Sequence, residues 1–268
     1  EATFRRANYD NWKAGSKIVF INKPVASGSL TNGLVGYWTF DGPDVAGVTA
    51  YDRSGQGNNG TLTNGPVQTI GKIGQGLLFD GTNDYVDMGN PSSLQITGAL
   101  TITAWVYSKD TVPTIRRIVS KAGLAPSRGW DLSLDDNPGA GLLSMLISGD
   151  GSTYIEASEV VTMPLGSWQF VTGVYIPSTS IKVYRNGVEV GSNTTSIPAS
   201  IFNTSTNAVS GQRTSSNFFN GTIDDVRIYN RALSADEIYR LYKIGGTTKI
   251  NTSRKDTLTD GLVGQWTF

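Results

Sequence analysis

The chain has 268 residues, a formal net charge of zero, and neither Cys nor His. That excludes a disulfide scaffold and an ordinary structural zinc site, removes the side chain most used as a general base, and leaves no long-range attraction for a phosphate backbone, so nucleic acid is not an expected partner. No apolar run is long enough to insert in a membrane, and 32 Gly with 10% aromatic residues suit short strands joined by tight turns around a core of large rings.

Residues 1–32 read as an N-terminal extension. It is basic at Arg5, Arg6, Lys13 and Lys17, with a short strand over Lys17–Ile21 and a small-residue linker from Val25 to Asn32. A start at Glu1 rather than Met suggests a mature form or a fragment. The strand Gly33-Leu-Val-Gly-Tyr-Trp-Thr-Phe40 then opens a domain, and it occurs twice. Leu30–Phe40 and Leu258–Phe268 differ only at Asn32/Asp260 and Tyr37/Gln265. Such a copy reads as a tandem repeat with a period of one domain. The chain divides into the extension, a full domain over 33–245, and a segment over 246–268 made of a linker and the first strand of a following unit.

Within the domain, Asp41-Gly-Pro is a turn, and Asp52–Leu62 is a polar, Gly-rich loop running into a strand. Gly76–Asp80 and Asp84–Met88 are strands around Gly81–Asn83. Thr101–Tyr107 alternates, with Ile102, Ala104 and Val106 on one face and Thr103, Trp105 and Tyr107 on the other. Strands follow over Arg117–Lys121, Gly129–Leu134, Gly141–Ile147, Trp168–Tyr175 and Ile181–Tyr184, the last ended by the hairpin signal Asn186-Gly187. Gly221–Tyr229 is the last strand. Ser234-Ala-Asp-Glu237 is a capping box that opens a helix from Ala235 to about Tyr242, with Gly245-Gly246 ending it. Many strands and one terminal helix make an antiparallel β-sandwich.

Taken in order, several stretches resemble the laminin-G-like, concanavalin A-like jelly-roll domains of bacterial secreted and cell-surface proteins. They are Leu34–Asp41, Asp52–Leu62, Leu78–Val86, Thr101–Val106, Trp168–Val171, Val183–Gly187 and Phe219–Ser234. The resemblance covers about residues 33 to 243. It implies an all-β antiparallel sandwich with one short C-terminal helix and an extracellular or cell-surface location. It does not select a function, since this sandwich hosts lectins, glycosidase domains, adhesins and spacers. It also implies a structural calcium between the first strand, an early loop and the last strand. By position that implicates Asp41, Asn58 or Asn59, and Asp224 or Asp225.

Glycoside hydrolysis needs two carboxylates facing each other across a sugar bond. Glu156 and Glu159 are three apart and face opposite ways in a strand, and Asp135-Asp136 and Asp224-Asp225 are adjacent, so no catalytic pair is expected. A glycan site would set a flat ring beside fixed polar groups, and the candidates are Trp130 with Asp131 and Arg128, and Tyr154. Trp38, Trp105 and Trp168 read as core. The leading expectation is a non-enzymatic interaction module, one repeat of an adhesive or filament-forming array. Its partners would be cell-surface glycan or protein, or neighbouring copies held head to tail through Gly261, Leu262, Val263, Trp266 and Phe268. The second is a carbohydrate-binding module.

Overall fold

A computed structural model describes residues 29–110, 115–135, 141–213 and 217–246. The basic extension up to residue 28 and the repeated strand Gly261–Phe268 lie outside the described residues. Two antiparallel sheets face each other. Sheet A runs β15 (Val188–Asn193), β14 (Ser180–Arg185), β13 (Trp168–Ile176), β8 (Leu100–Ser108), β17 (Asn220–Tyr229), β6 (Gln75–Asp80) and β5 (Val67–Ile70), with β1 (Leu34–Trp38) also on β17. Sheet B runs β12 (Ile155–Ser158), β11 (Leu142–Ile147), β10 (Trp130–Asp135), β9 (Arg116–Lys121), β16 (Ala208–Ser210), β7 (Tyr85–Gly89), β4 (Gly60–Thr63), β3 (Thr49–Ala50) and β2 (Val45–Ala46).

Strand parity builds the core. Ile102, Ala104 and Val106 of β8 meet Trp130, Leu132 and Leu134 of β10 in one buried cluster between the sheets. The alternate residues of β8 point the other way. Trp105 is buried on the outer face of sheet A with Phe170, Tyr229, Leu233, Ile238 and Leu241, beneath the helix α1 (Ala235–Gly246). The expected capping box is present: Ser234 Oγ accepts from Glu237 N at 3.3 Å, and Glu237 Oε2 accepts from Ser234 N at 2.9 Å. The helix runs further than the sequence suggests, through Gly246. A Cβ on Gly245 would stand 2.7 Å from Trp105 Nε1, so this glycine permits close packing and does not end the helix.

β17 organises sheet A. Its first half pairs with β6, from Asn220↔Asp80 to Ile223↔Leu77. Its second half pairs with β1, from Val226↔Trp38 to Tyr229↔Leu34, so β1 and β6 lie end to end along one side. A bulge against β8 falls between Asp224 and Arg227, and Asp225 sits in it at φ 56°, a conformation Asp tolerates better than most residues.

The free edge of β1 is capped by the Gly-rich loop. Asp52 Oδ1 accepts from Tyr37 N at 2.9 Å, Arg53 N donates to Tyr37 O at 2.7 Å, and Asn58 Nδ2 donates to Val35 O at 2.7 Å. Strand-edge groups that would otherwise invite another chain are thereby satisfied.

Candidate functional site

On β10 the pleat turns Asp131 and Ser133 away from the core that holds Trp130, Leu132 and Leu134. Asp131 is fully buried, and three side chains from distant parts of the chain converge on its Oδ2. Tyr154 donates its hydroxyl at 2.9 Å, and Arg117 and Arg213 each approach with Nη1 at 3.5 Å. Arg117 also donates to Ser133 Oγ at 3.0 Å, across the β9–β10 ladder. The Arg128 guanidinium lies 5.0 Å from the Tyr154 ring centre and that of Arg213 lies 5.8 Å from it. Arg128 Nη1 is held by Ser152 O at 2.9 Å. Burial, reinforced by the Asp131 charge, pushes the Tyr154 hydroxyl far above its usual range, so it stays protonated and donates.

This face has buried polar groups still in need of partners. Asp131 Oδ1, Arg117 Nε and Ser120 Oγ make no hydrogen bond, and Ser120 sits opposite Asp131 in the ladder. An unmet buried group costs about 1–3 kcal/mol, which a ligand or bound water would recover.

Of the four expected glycan-site residues, the structure brings together Arg128, Asp131 and Tyr154. Trp130 is corrected: it is 1% exposed and packs between the sheets, so it offers no ring for a sugar to stack on. Adjacent strand residues face opposite ways, so Trp130 and Asp131 could not share one face. Arg117 and Arg213 join the group through strand register and a distant connection, which the sequence does not signal.

The five positions expected around calcium separate. Asn58 serves the edge of β1, where it also meets Ser93, and Asn59 Oδ1 accepts from Asp52 N at 3.0 Å. Asp225 faces the Arg227 guanidinium at 3.2 Å. Asp41 and Asp224 grip one turn between β5 and β6: Asp41 Oδ1 accepts from Gln75 N at 2.7 Å, and Asp224 Oδ2 from Lys72 N and Ile73 N at 2.8 and 2.9 Å. Burial pushes the Asp224 carboxyl up to about 8, the Lys72 and Ile73 N–H groups offset part of this, and Asp225 and Asp41 add to it. Its Oδ1 is buried without a partner. Among the described residues, no three acidic side chains stand close enough to hold a metal together. The donor set is thus reduced to Asp41 and Asp224, with Asn58 and Asn59 committed elsewhere.

Among the described residues no helix is long and apolar enough to cross a membrane. No curated protein matches the chain. Several solved structures share the fold. Domain 4 of a GH43 extracellular arabinanase from Geobacillus stearothermophilus, in complex with arabinotriose, aligns with TM-score 0.62 and 22% identity over 78% of this chain and 98% of that one. The binding domain of Paraclostridial Mosquitocidal Protein 1 aligns with TM-score 0.63 and 19% identity over 80% of this chain. The botulinum neurotoxin serotype G binding domain aligns with TM-score 0.61 and 14% identity over 80% of this chain. The chain spans about half the length of the two toxin domains, 52% and 51%. At these identities the likeness is one of fold. The family model of the concanavalin A-like lectin/glucanases superfamily matches residues 80–239, more than half of the sequence, and with the two-sheet sandwich around it the chain belongs to that superfamily.

Proposed function

We propose that the protein is a non-catalytic glycan-binding module of a secreted or cell-surface protein, and that it binds on the outer face of sheet B around Asp131. The observation that carries this reading is the convergence of Arg117, Arg213 and Tyr154 on a buried carboxylate, with polar atoms beside it still unpartnered. A fold shared with an arabinanase domain in complex with arabinotriose, and with toxin binding domains, supports a binding role ahead of a passive repeat. The test is a glycan array on the full chain, followed by Tyr154→Ala. Binding that weakens at least tenfold while the fold persists supports the site. A blank array for the unmutated chain overturns the reading.

Two further proposals stand apart from it. A structural calcium at Asp41 and Asp224 is supported by the unpartnered Asp224 Oδ1. Added calcium would then raise the melting temperature, and Asp224→Asn would remove that response; no shift with calcium or with chelator overturns it. Assembly between copies through Leu258–Phe268 is supported by the near-identity of that segment to the strand in the β1 slot.

A further inference from the structure

We infer that a second binding site, for a neutral sugar chain, lies on the outer face of sheet A, on a strip that runs from Trp168 to Val67 and ends in a cavity lined by Asp80, Lys109 and Asn220. It is on the opposite sheet from Asp131 and does not depend on that site.

Register lays out the strip. Trp168 stands opposite Tyr107, Tyr107 opposite Thr222, Thr222 opposite Leu78, and Leu78 opposite Val67. Direct partners in a ladder share a face. This face points away from the core, since the adjacent residues Val106, Ile223 and Leu77 lie in the cluster between the sheets. Five strands span about 19 Å at the usual spacing. Helix α1 covers the neighbouring row, where Tyr242 lies 5.8 Å from the Trp105 ring and 6.3 Å from that of Phe170. On the strip itself Tyr107, Trp168 and Leu78 stay half-buried, and Val67 is exposed.

The strip has the two things a sugar needs, an open ring for its apolar face and mixed polar groups for its hydroxyls. The Tyr107 and Trp168 rings lie 5.8 Å apart. Trp168 reads as core in the sequence, yet it packs only in part against the cluster beneath the helix. At the far end, Val67 and Leu78 line a cavity of about 390 Å³ with Asn64, Asp80, Lys109 and Asn220. Small-ligand sites run from about 300 to 1,000 Å³. Among the described residues, the Tyr107 hydroxyl, Trp168 Nε1 and Lys109 Nζ make no hydrogen bond and no ion pair, and none of the three is a buried orphan. Asn220 uses its amide N–H on Asp110, and Asn64 donates to Asn83 O at 2.9 Å, so the amide oxygen of each is left to accept. A dry protein contact over the strip would leave these donors and acceptors unpaired, whereas sugar hydroxyls satisfy both kinds. Charges of both signs border the cavity, Lys109 beside Asp80 and Asp84, and Arg116 is closed on Asp110 at 2.8 Å, so no surplus charge selects a charged ligand.

The experiment is titration calorimetry of the full chain with an arabino-, a xylo- and a cello-oligosaccharide, and with an oligogalacturonide as the charged control, at low and high salt. At least one neutral probe is expected to bind, with an affinity indifferent to salt. Tyr107→Leu keeps an apolar side chain, removes the ring and hydroxyl, and is expected to weaken binding at least tenfold. Lys109→Ala changes an exposed residue and should weaken binding severalfold while melting with the parent, which separates lost binding from lost folding. Binding that survives Tyr154→Ala and falls in Tyr107→Leu and Lys109→Ala belongs to sheet A. Binding that falls only in Tyr154→Ala overturns the inference and leaves the Asp131 site standing. No binding of any neutral probe, or tighter binding of the oligogalacturonide, overturns it as well. A concentration-dependent dimer in light scattering that Tyr107→Leu abolishes would give the strip to a second copy of the chain and overturn the sugar assignment.

Discussion

The Arg227 guanidinium lies 4.2 Å from the centre of the Tyr37 ring and donates from Nη2 to the Tyr37 hydroxyl oxygen at 2.8 Å. The two residues are also direct partners in the β1–β17 ladder. One pair therefore fixes β1 in three ways: by backbone pairing, by cation–π contact and by a side-chain hydrogen bond. Burial raises the Tyr37 hydroxyl well above its ordinary range, so it stays neutral and the stack is not lost to ionisation at ordinary pH.

Tyr37→Phe keeps the stack and loses the hydrogen bond, and is expected to cost about 1 kcal/mol. Tyr37→Gln loses both and is expected to cost about 2–3 kcal/mol. Urea unfolding of the two variants separates the contributions. Equal losses would show that the ring contributes nothing beyond its hydroxyl.

Trp130→Ala is expected to destabilise the fold by about 3–5 kcal/mol, because it empties a large volume from the centre of the sandwich. Tyr154→Ala removes a half-buried ring at the surface and should cost less. A Trp130→Ala protein that melts with the parent would contradict the inward orientation of Trp130.

Strand parity decided what could be read from the residues alone. β8 is long and regular, so its faces are legible, and so is the hairpin at Asn186-Gly187, where both residues have positive φ. β5, β12 and β15 were missed, being short or polar with no clean alternation. At the candidate site, Arg128 and Asp131 draw attention by flanking Trp130, although that ring packs in the core, and Tyr154 reaches Asp131 from 23 residues away. Arg117 does not, because a register shift between Leu132 and Ser133 decides which β9 residue lies beside Asp131, and a bulge leaves little trace in composition. Arg213 comes from a distant connection after β16. Asp41 and Asp224 were noticed as acids, but the turn amides they bind are backbone groups and carry no sequence signal.

Stability should fall as pH rises from mildly acidic to mildly basic. Glu159 is 2% exposed, and burial pushes its carboxyl up to about 7, with Arg185 at 3.5 Å offsetting part of the rise. The folded state then binds this proton more tightly than the unfolded state. Its contribution is complete below the unfolded value near 4.5 and is lost as pH rises through about 7. Asp224, raised to about 8, acts in the same direction. Melting temperatures across this range should therefore decline, and Glu159→Gln should make the decline shallower. A slope unchanged in that variant would assign the titration to another group.

The repeated strand gives the last prediction. The slot occupied by β1 has two walls: β17 on one side and the loop of Asp52, Arg53 and Asn58 on the other. Leu262, Val263, Trp266 and Phe268 repeat the apolar residues Leu34, Val35, Trp38 and Phe40, so Leu258–Phe268 matches the slot in shape. It differs at the position that faces Arg227, where Gln265 stands in place of Tyr37. A copy entering the slot of another molecule would forgo the Tyr37–Arg227 stack, so that pair favours the molecule's own β1. Removing the difference should tip the balance. Tyr37→Gln makes the two strands nearly equivalent and is expected to raise the mass seen by light scattering as concentration increases, while deletion of Leu258–Phe268 from that variant should return it to a monomer. Identical masses for parent, variant and deletion at every concentration would rule out strand exchange between copies.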